Sequence, residues 1–150
     1  MAMMRKGFAK ADEGIAAIEF AVLGAVLCLI VVAIGDLGLG FYSYMQVQNS
    51  AQAGAQYAAV HGYNSTSITS AVTNATSVTG IAATPAPQSF CGCVVGSAVT
   101  TATCGSVCAN GMSAGTYVSV SAARTYSTLI SYPGFPASYS QTATSTVRIK

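Results

Sequence analysis

The sequence contains very little charge. Only 7% of its 150 residues are charged, whereas soluble domains usually carry about a quarter. Seven of the ten charged residues lie between positions 5 and 36, and none occurs from Leu37 to Ala123. The formal net charge of +2 is too small and too dispersed for nucleic-acid binding, which depends on clustered Lys and Arg side chains.

Side chains suited to catalysis are equally scarce. The chain has one histidine, His61, and four acids, which are Asp12, Glu13, Glu19 and Asp36. Because every acid lies within the first 36 residues, the rest of the chain cannot supply a Ser–His–acid site or a pair of carboxylates. A lone histidine is not a metal site. We therefore expect no enzymatic activity, no metal and no cofactor.

One long apolar run dominates the chain. From Ile15 to Ile34 almost every residue is apolar, and Glu19 is the one charged residue. Twenty helical residues span roughly 30 Å, the thickness of a bilayer hydrocarbon core. The run therefore predicts a transmembrane helix over residues 15–34. A carboxylate inside such a helix costs about 2.5–3.5 kcal/mol at mid-membrane, so Glu19 is a candidate functional residue.

The distribution of basic residues predicts how this helix is oriented. Arg5, Lys6 and Lys10 precede the run, and no Lys or Arg follows until Arg124. The positive-inside rule then places the N-terminus in the cytoplasm and the later part of the chain outside, with membrane lipid as a partner. Two alternatives are an uncleaved anchor and an ordinary signal peptide, although the apolar region of a signal peptide is only 7–15 residues long.

The start of the apolar run carries a recognisable motif. A short basic leader is followed by Gly14, four apolar residues, Glu19 and Phe20, which resembles the prepilin-peptidase site of type IV pilins. Asp36 after the run and the sequence of residues 46–51 add a resemblance to the TadE-like proteins. These are minor, pilin-like components of the tight-adherence (Flp) pilus of bacteria.

The resemblance implies a structural role and a maturation step. It implies that prepilin peptidase removes the leader 1–14 by cutting after Gly14, with Ile15, Glu19 and Phe20 completing the processing site. The product would be a minor pilin, or pseudopilin, of the bacterial inner membrane that is extracted into the pilus. Its partners would be the other pilin subunits and the inner-membrane assembly machinery. The alternative is an uncleaved, single-pass surface domain with a binding or adhesion function.

Cleavage would give Glu19 a possible partner. The new α-amino group of Ile15 is protonated at neutral pH, and Glu19 lies one helical turn further along the chain. In a filament, the amine of one subunit could pair with Glu19 of its neighbour and set the axial register between them. Alternatively, Glu19 is only recognised by the peptidase, or its side chain extends to the membrane interface.

Beyond the membrane, residues 35–62 are expected to continue the helix, with an interfacial belt of aromatic residues at positions 41–44. Small residues four positions apart predict close helix packing. They are Ala17, Ala21 and Ala25 within the span, and Ala51, Gly54, Ala55 and Ala58 beyond it. For the second group, packing between filament subunits and packing on the chain's own domain are both open.

Residues 63–150 predict a small exported α+β domain. A short helix should begin at Ser67 as N-cap and stop at Gly80, with Ile68 and Val72 on its apolar face. Alternating apolar and polar residues at 118–122 and at 142–149 predict two antiparallel strands. The predicted fold class is thus α+β, in which a long N-terminal transmembrane helix continues outside the membrane and packs on a small antiparallel sheet, as in pilins.

Five cysteines complete the pattern. Cys91, Cys93, Cys104 and Cys108 fall on the exported side, where they predict two disulfides. Since Cys91 and Cys93 should point the same way on a strand, we expect pairing between the clusters, and we predict the nested arrangement Cys91–Cys108 and Cys93–Cys104. A four-thiolate zinc site is the alternative. Cys28, inside the apolar run, is expected to be a buried apolar filler.

Overall fold

A computed structural model describes residues 6–131, 133, 134 and 136–150. The first five residues of the predicted leader, and Tyr132 and Phe135 between the two predicted strands, lie outside this description. The chain forms two units, Met1–Leu39 and Gly40–Lys150. The elements in order are α1 (Lys6–His61), α2 (Ser65–Thr73), β1 (Gln88–Val95), β2 (Ala98–Thr101), β3 (Gly115–Ser127) and β4 (Ser138–Arg148).

The first unit consists of the N-terminal part of α1. Helix α1 has no proline, and the glycines Gly35, Gly38 and Gly40 lie inside it without ending it. Its most apolar stretch has a mean hydropathy of 2.8 and is not buried by any other part of the described chain. By length and composition α1 is a helix that could cross a membrane, which agrees with the predicted span.

The second unit has its core between the C-terminal part of α1, helix α2 and strand β3. The fully or nearly fully buried side chains of this core are Val47, Ala51, Ala55, Ala58, Ile68, Val72, Ile81, Val118, Val120 and Ala122. Helix α1 contributes mostly alanine, and small side chains let a helix backbone approach its neighbours closely. The predicted α+β class, with a helix packed on a disulfide-linked antiparallel sheet, is therefore confirmed.

The sheet has the strand order β2-β1-β3-β4 and is antiparallel throughout. The two strands predicted from alternation are β3 and β4, which pair from Tyr117↔Arg148 to Ser127↔Ser138. Val118 lies opposite Val147 and Ala122 opposite Ala143, so apolar residues of both strands share one face. That face carries the core.

Helix α2 differs from its prediction at both ends. It begins after Asn64, whose side-chain Oδ1 accepts a hydrogen bond of 3.0 Å from the backbone N–H of Ser67. Asn64 has the extended backbone conformation of an N-cap, whereas Ser67 lies inside the first turn. The helix ends at Thr73 rather than near Gly80, so the predicted cap and stop were both wrong.

Helix α1 lies on the sheet in a defined direction. A Cβ atom placed on Gly40 would lie 2.6 Å from the Tyr139 hydroxyl, and one on Gly54 would lie 2.8 Å from Val120 Cγ1. Tyr139 pairs with Tyr126 near the end of the β3–β4 hairpin, and Val120 is further from that end. The hairpin loop therefore lies at the same end of the second unit as Gly40, where α1 enters it.

Candidate processing and assembly site

The motif residues lie on the exposed surface of α1. Gly14, Ile15, Glu19 and Phe20 are all exposed, with Ile15 at 56% and Phe20 at 79% of their possible accessible area. Apolar side chains in such number on an uncovered helix require a nonaqueous environment, either lipid or other helices. The surface around the motif is thus available for contacts outside the chain.

Gly14 is not required by the fold itself. A Cβ atom built at Gly14 would meet no neighbouring atom within 4 Å, and glycine weakens a helix interior by about 1 kcal/mol relative to alanine. The chain therefore gains no packing from the absence of a side chain here. A binding partner that needs a backbone without a side chain, or one that unwinds easily, at the Gly14–Ile15 bond would explain why glycine occupies position 14.

Glu19 has no cationic side chain close to it in the sequence. The residues within four positions of Glu19 on either side are all uncharged and almost all apolar. Ile15 lies four positions earlier in the same helix, which corresponds to one turn and an axial rise of about 6 Å. A positive charge created at Ile15 would therefore lie within reach of the Glu19 carboxylate.

The two groups of small residues have different environments. Ala17, Ala21 and Ala25 are exposed on α1, where they leave a shallow surface for another helix. The group at positions 51–58 is buried within the second unit. A Cβ atom on Gly54 would lie 2.5 Å from Val72 Cγ2 and 2.8 Å from Val120 Cγ1, so these residues pack on the chain's own domain.

A polar network missed by the sequence analysis fixes α1 on the sheet. The Ser43 hydroxyl accepts a hydrogen bond from Arg124 Nη1 at 2.6 Å and donates one to Gln141 Oε1 at 2.6 Å. Gln141 Nε2 then donates to the backbone carbonyl of Gly40 at 2.9 Å. Arg124 and Gln141 lie opposite each other on β3 and β4. Arg124 is the first charged residue after Asp36. Its position as a single charge in a long uncharged region is the sequence feature that could have marked it as part of a network.

Disulfides join the four cysteines of the second unit, as predicted, which are Cys91, Cys93, Cys104 and Cys108. They connect the two clusters, but the pairs are Cys91–Cys104 and Cys93–Cys108, with Cα–Cα distances of 5.1 and 5.6 Å. The nested arrangement was therefore wrong.

The physical reason for this pairing is a turn after β2. Ala102 donates its backbone N–H to the carbonyl of Cys91 at 2.8 Å, and Ser106 donates to Thr103 at 3.0 Å. The turn reverses the direction of the chain soon after the chain passes Cys91. Cys104 therefore lies beside Cys91, and Cys108, further along the reversed chain, lies beside Cys93. Sulfurs joined in disulfides are not thiolate ligands, which removes the zinc alternative.

Cys28 is the free cysteine of the described chain, and it is exposed on α1. The expectation that it is buried was wrong for the single chain, because no other described element packs on that part of the helix.

Comparison with known proteins supports the motif. A family model described as TadE-like protein matches residues 14–56. The match begins at the motif glycine and ends within the part of α1 that packs in the second unit. It confirms the resemblance to TadE-like proteins over these residues. No curated protein and no solved structure matches the chain.

Proposed function

We propose that the protein is a structural minor pilin, or pseudopilin, that takes part in assembly of a tight-adherence (Flp) pilus. The observation that carries the proposal is the family match over residues 14–56. The matched residues include an exposed apolar stretch of α1 that begins at Gly14 and contains Glu19. The proposal assigns no catalytic role to the chain.

Maturation is the first step of the proposed function. Prepilin peptidase cuts the Gly14–Ile15 bond and leaves Ile15 as the new N-terminus. Before cleavage the protein is a single-pass protein of the bacterial inner membrane, with its N-terminus in the cytoplasm and the second unit on the periplasmic side. The environment of Gly14 supports this step, because a Cβ atom there would meet no neighbour within 4 Å and packing therefore does not explain the glycine.

Assembly is the second step. In a lipid or protein environment of low dielectric, an unpaired carboxylate is costly and a pair with an ammonium group is favourable. The Ile15 amine of one subunit pairs with Glu19 of another and sets their axial register. The exposed row Ala17, Ala21 and Ala25 lets neighbouring helices approach closely. Other pilin subunits and the inner-membrane assembly machinery are the partners of this step.

The substitution Glu19→Gln tests the assembly role, because it keeps the size of the side chain and removes its charge. Cleavage after Gly14 and incorporation into sheared pili are measured in the same cells, with Ser70→Ala on the exposed side of α2 as a control variant. We expect normal cleavage and a loss of incorporation of at least tenfold, the equivalent of about 1.4 kcal/mol in pairing free energy. Normal cleavage with normal incorporation would remove the register role.

A further inference from the structure

The β3–β4 hairpin loop lies at the end of the second unit where α1 enters it. Gln141 Nε2 donates to the Gly40 carbonyl at 2.9 Å, and the hydroxyl of Tyr139 approaches the α-carbon of Gly40 so closely that a Cβ atom would not fit. The loop begins immediately beyond, after the last pair, Ser127↔Ser138. It therefore lies on the side of the unit from which the chain leads back to the apolar run.

The loop exposes large apolar side chains and no charge. Leu129 is 63% exposed and Ile130 is 42% exposed. No charged residue occurs between Thr125 and Val147, so nothing in this part of the chain opposes contact with lipid. Neighbouring exposed apolar side chains mark candidate sites of contact with a protein or a membrane, and this loop is such a site.

Exposed aromatic side chains lie at the same end of the unit. Phe41 and Tyr42 on α1 are exposed, and so is Tyr139 on β4. Tyrosine and other aromatic residues concentrate at membrane–water interfaces, where the ring contacts acyl chains and the polar edge contacts headgroups and water. Leu129, Ile130 and these three aromatic residues share one end of the second unit, and together they are here called the membrane-side surface.

Chain lengths bring the membrane interface within reach of this surface. Gly40 is six residues after Ile34, the last residue of the apolar run, and six helical residues measure about 9 Å. Leu129 is three residues beyond Tyr126, which is near Gly40, and three extended residues cover up to about 10 Å. The headgroup layer on each side of a bilayer is about 5–8 Å thick, so the loop can reach the interface.

We propose that the membrane-side surface docks on the bilayer that holds α1, with Leu129 and Ile130 inserted at the boundary between headgroups and acyl chains. The inference rests on the proposal that α1 spans the membrane. We choose the bilayer as the partner of this surface because the surface is uncharged and lies at the end of the second unit from which the chain leads to the apolar run. Docking holds the second unit against the membrane until the subunit is extracted.

Tryptophan fluorescence tests this docking, because the chain contains no tryptophan. Three single variants of the full chain, Leu129→Trp, Val107→Trp and Leu27→Trp, are reconstituted in phosphatidylcholine vesicles with and without brominated acyl chains. Val107 is also strongly exposed, at 72%, but lies beside the disulfides and away from the hairpin loop. Leu27 lies within the apolar run and reports on the anchor itself.

We expect the emission of Leu129→Trp to be shifted to shorter wavelength and quenched by bromolipid several-fold more than that of Val107→Trp. Equal, weak quenching of these two variants beside strong quenching of Leu27→Trp would overturn the docking and leave the anchor intact. Weak quenching of all three would overturn the anchor and the docking together. Proteolysis of the unsubstituted chain is a second test that needs no added tryptophan. Docking should protect the peptide bond after Leu129 from chymotrypsin in vesicles but not in detergent.

Discussion

Gly54 is a position at which α1 approaches both α2 and β3 closely. A Cβ atom there would lie 2.5 Å from Val72 Cγ2 and 2.8 Å from Val120 Cγ1, and both valines are fully buried. Ordinary contacts between carbon atoms lie near 3.5–4.0 Å, so Gly54→Ala must move α1, α2 or β3 by about 1 Å. We expect this substitution to destabilise the second unit.

The size of the effect follows from two opposing terms. Overpacking of a close-packed core costs about 1–3 kcal/mol, and the two simultaneous contacts place Gly54→Ala near the upper end of that range. Alanine in place of glycine inside a helix returns about 1 kcal/mol. The net loss is therefore about 2 kcal/mol, which at an m-value of about 1–1.5 kcal/mol per molar urea lowers the unfolding midpoint by roughly 1.3–2 M.

The assay is proteolysis of the full chain in detergent across a urea series, with the disulfides intact. Gly38→Ala is the matched control, because it makes the same substitution in the same helix at a site where a Cβ atom meets nothing within 4 Å. Gly38→Ala should leave the midpoint unchanged or raise it. The double variant Gly54→Ala/Val72→Ala should lose less than the sum of its single variants, since the Val72 methyl in conflict is removed.

The reasoning would be refuted if Gly54→Ala raised the midpoint as Gly38→Ala does. That result would mean that α1 does not approach α2 and β3 at this distance.

Two other substitutions test the second unit. Replacing Cys104 with serine opens a disulfide that spans 13 residues. The loss of this disulfide should lower the free energy of unfolding by about 2–4 kcal/mol and reduce the amount of protein in the membrane fraction, whereas Cys28→Ala should leave that amount unchanged. Equal amounts of the two variants would contradict a structural role for the disulfide. Asn64→Ala removes the N-cap of α2 and should lower the free energy of unfolding by about 1 kcal/mol. Asn64→Asp should retain most of that free energy, because an Asp side chain can also cap the helix. Indistinguishable urea midpoints for the two variants would argue against the cap.

Much of the fold could be predicted because its signals are local. The apolar run predicts α1, and the alternation of apolar and polar residues predicts β3 and β4, which have one face on the core and the other toward solvent. Strand β2 carries no such signal, because it is only four residues long and lies at the edge of the sheet. Its pairing with β1 could therefore not be predicted from the sequence and is seen only in the structure.

Features that depend on distant partners could not be predicted. The hydrogen bonds of Gln141 join residues 98 and 101 positions apart, and no local pattern marks them. The disulfide pairing depends on the turn at Thr103, whose direction the cysteine spacing does not reveal. By contrast, the candidate processing site is a contiguous motif beginning at Gly14, so sequence alone could locate it.

Whether the Gly14–Ile15 bond is cut tests the proposed function most directly. The measurement is the intact mass of the protein recovered from membranes and sheared pili of cells with active prepilin peptidase. Gly14→Ala and Gly14→Val serve as matched variants, since Gly14 has no packing contact within 4 Å and changes in processing would then reflect the peptidase. We predict a chain that starts at Ile15, with Gly14→Ala processed better than Gly14→Val. Intact chain that retains residues 1–14 in such cells would contradict the account and favour an uncleaved, membrane-anchored surface domain.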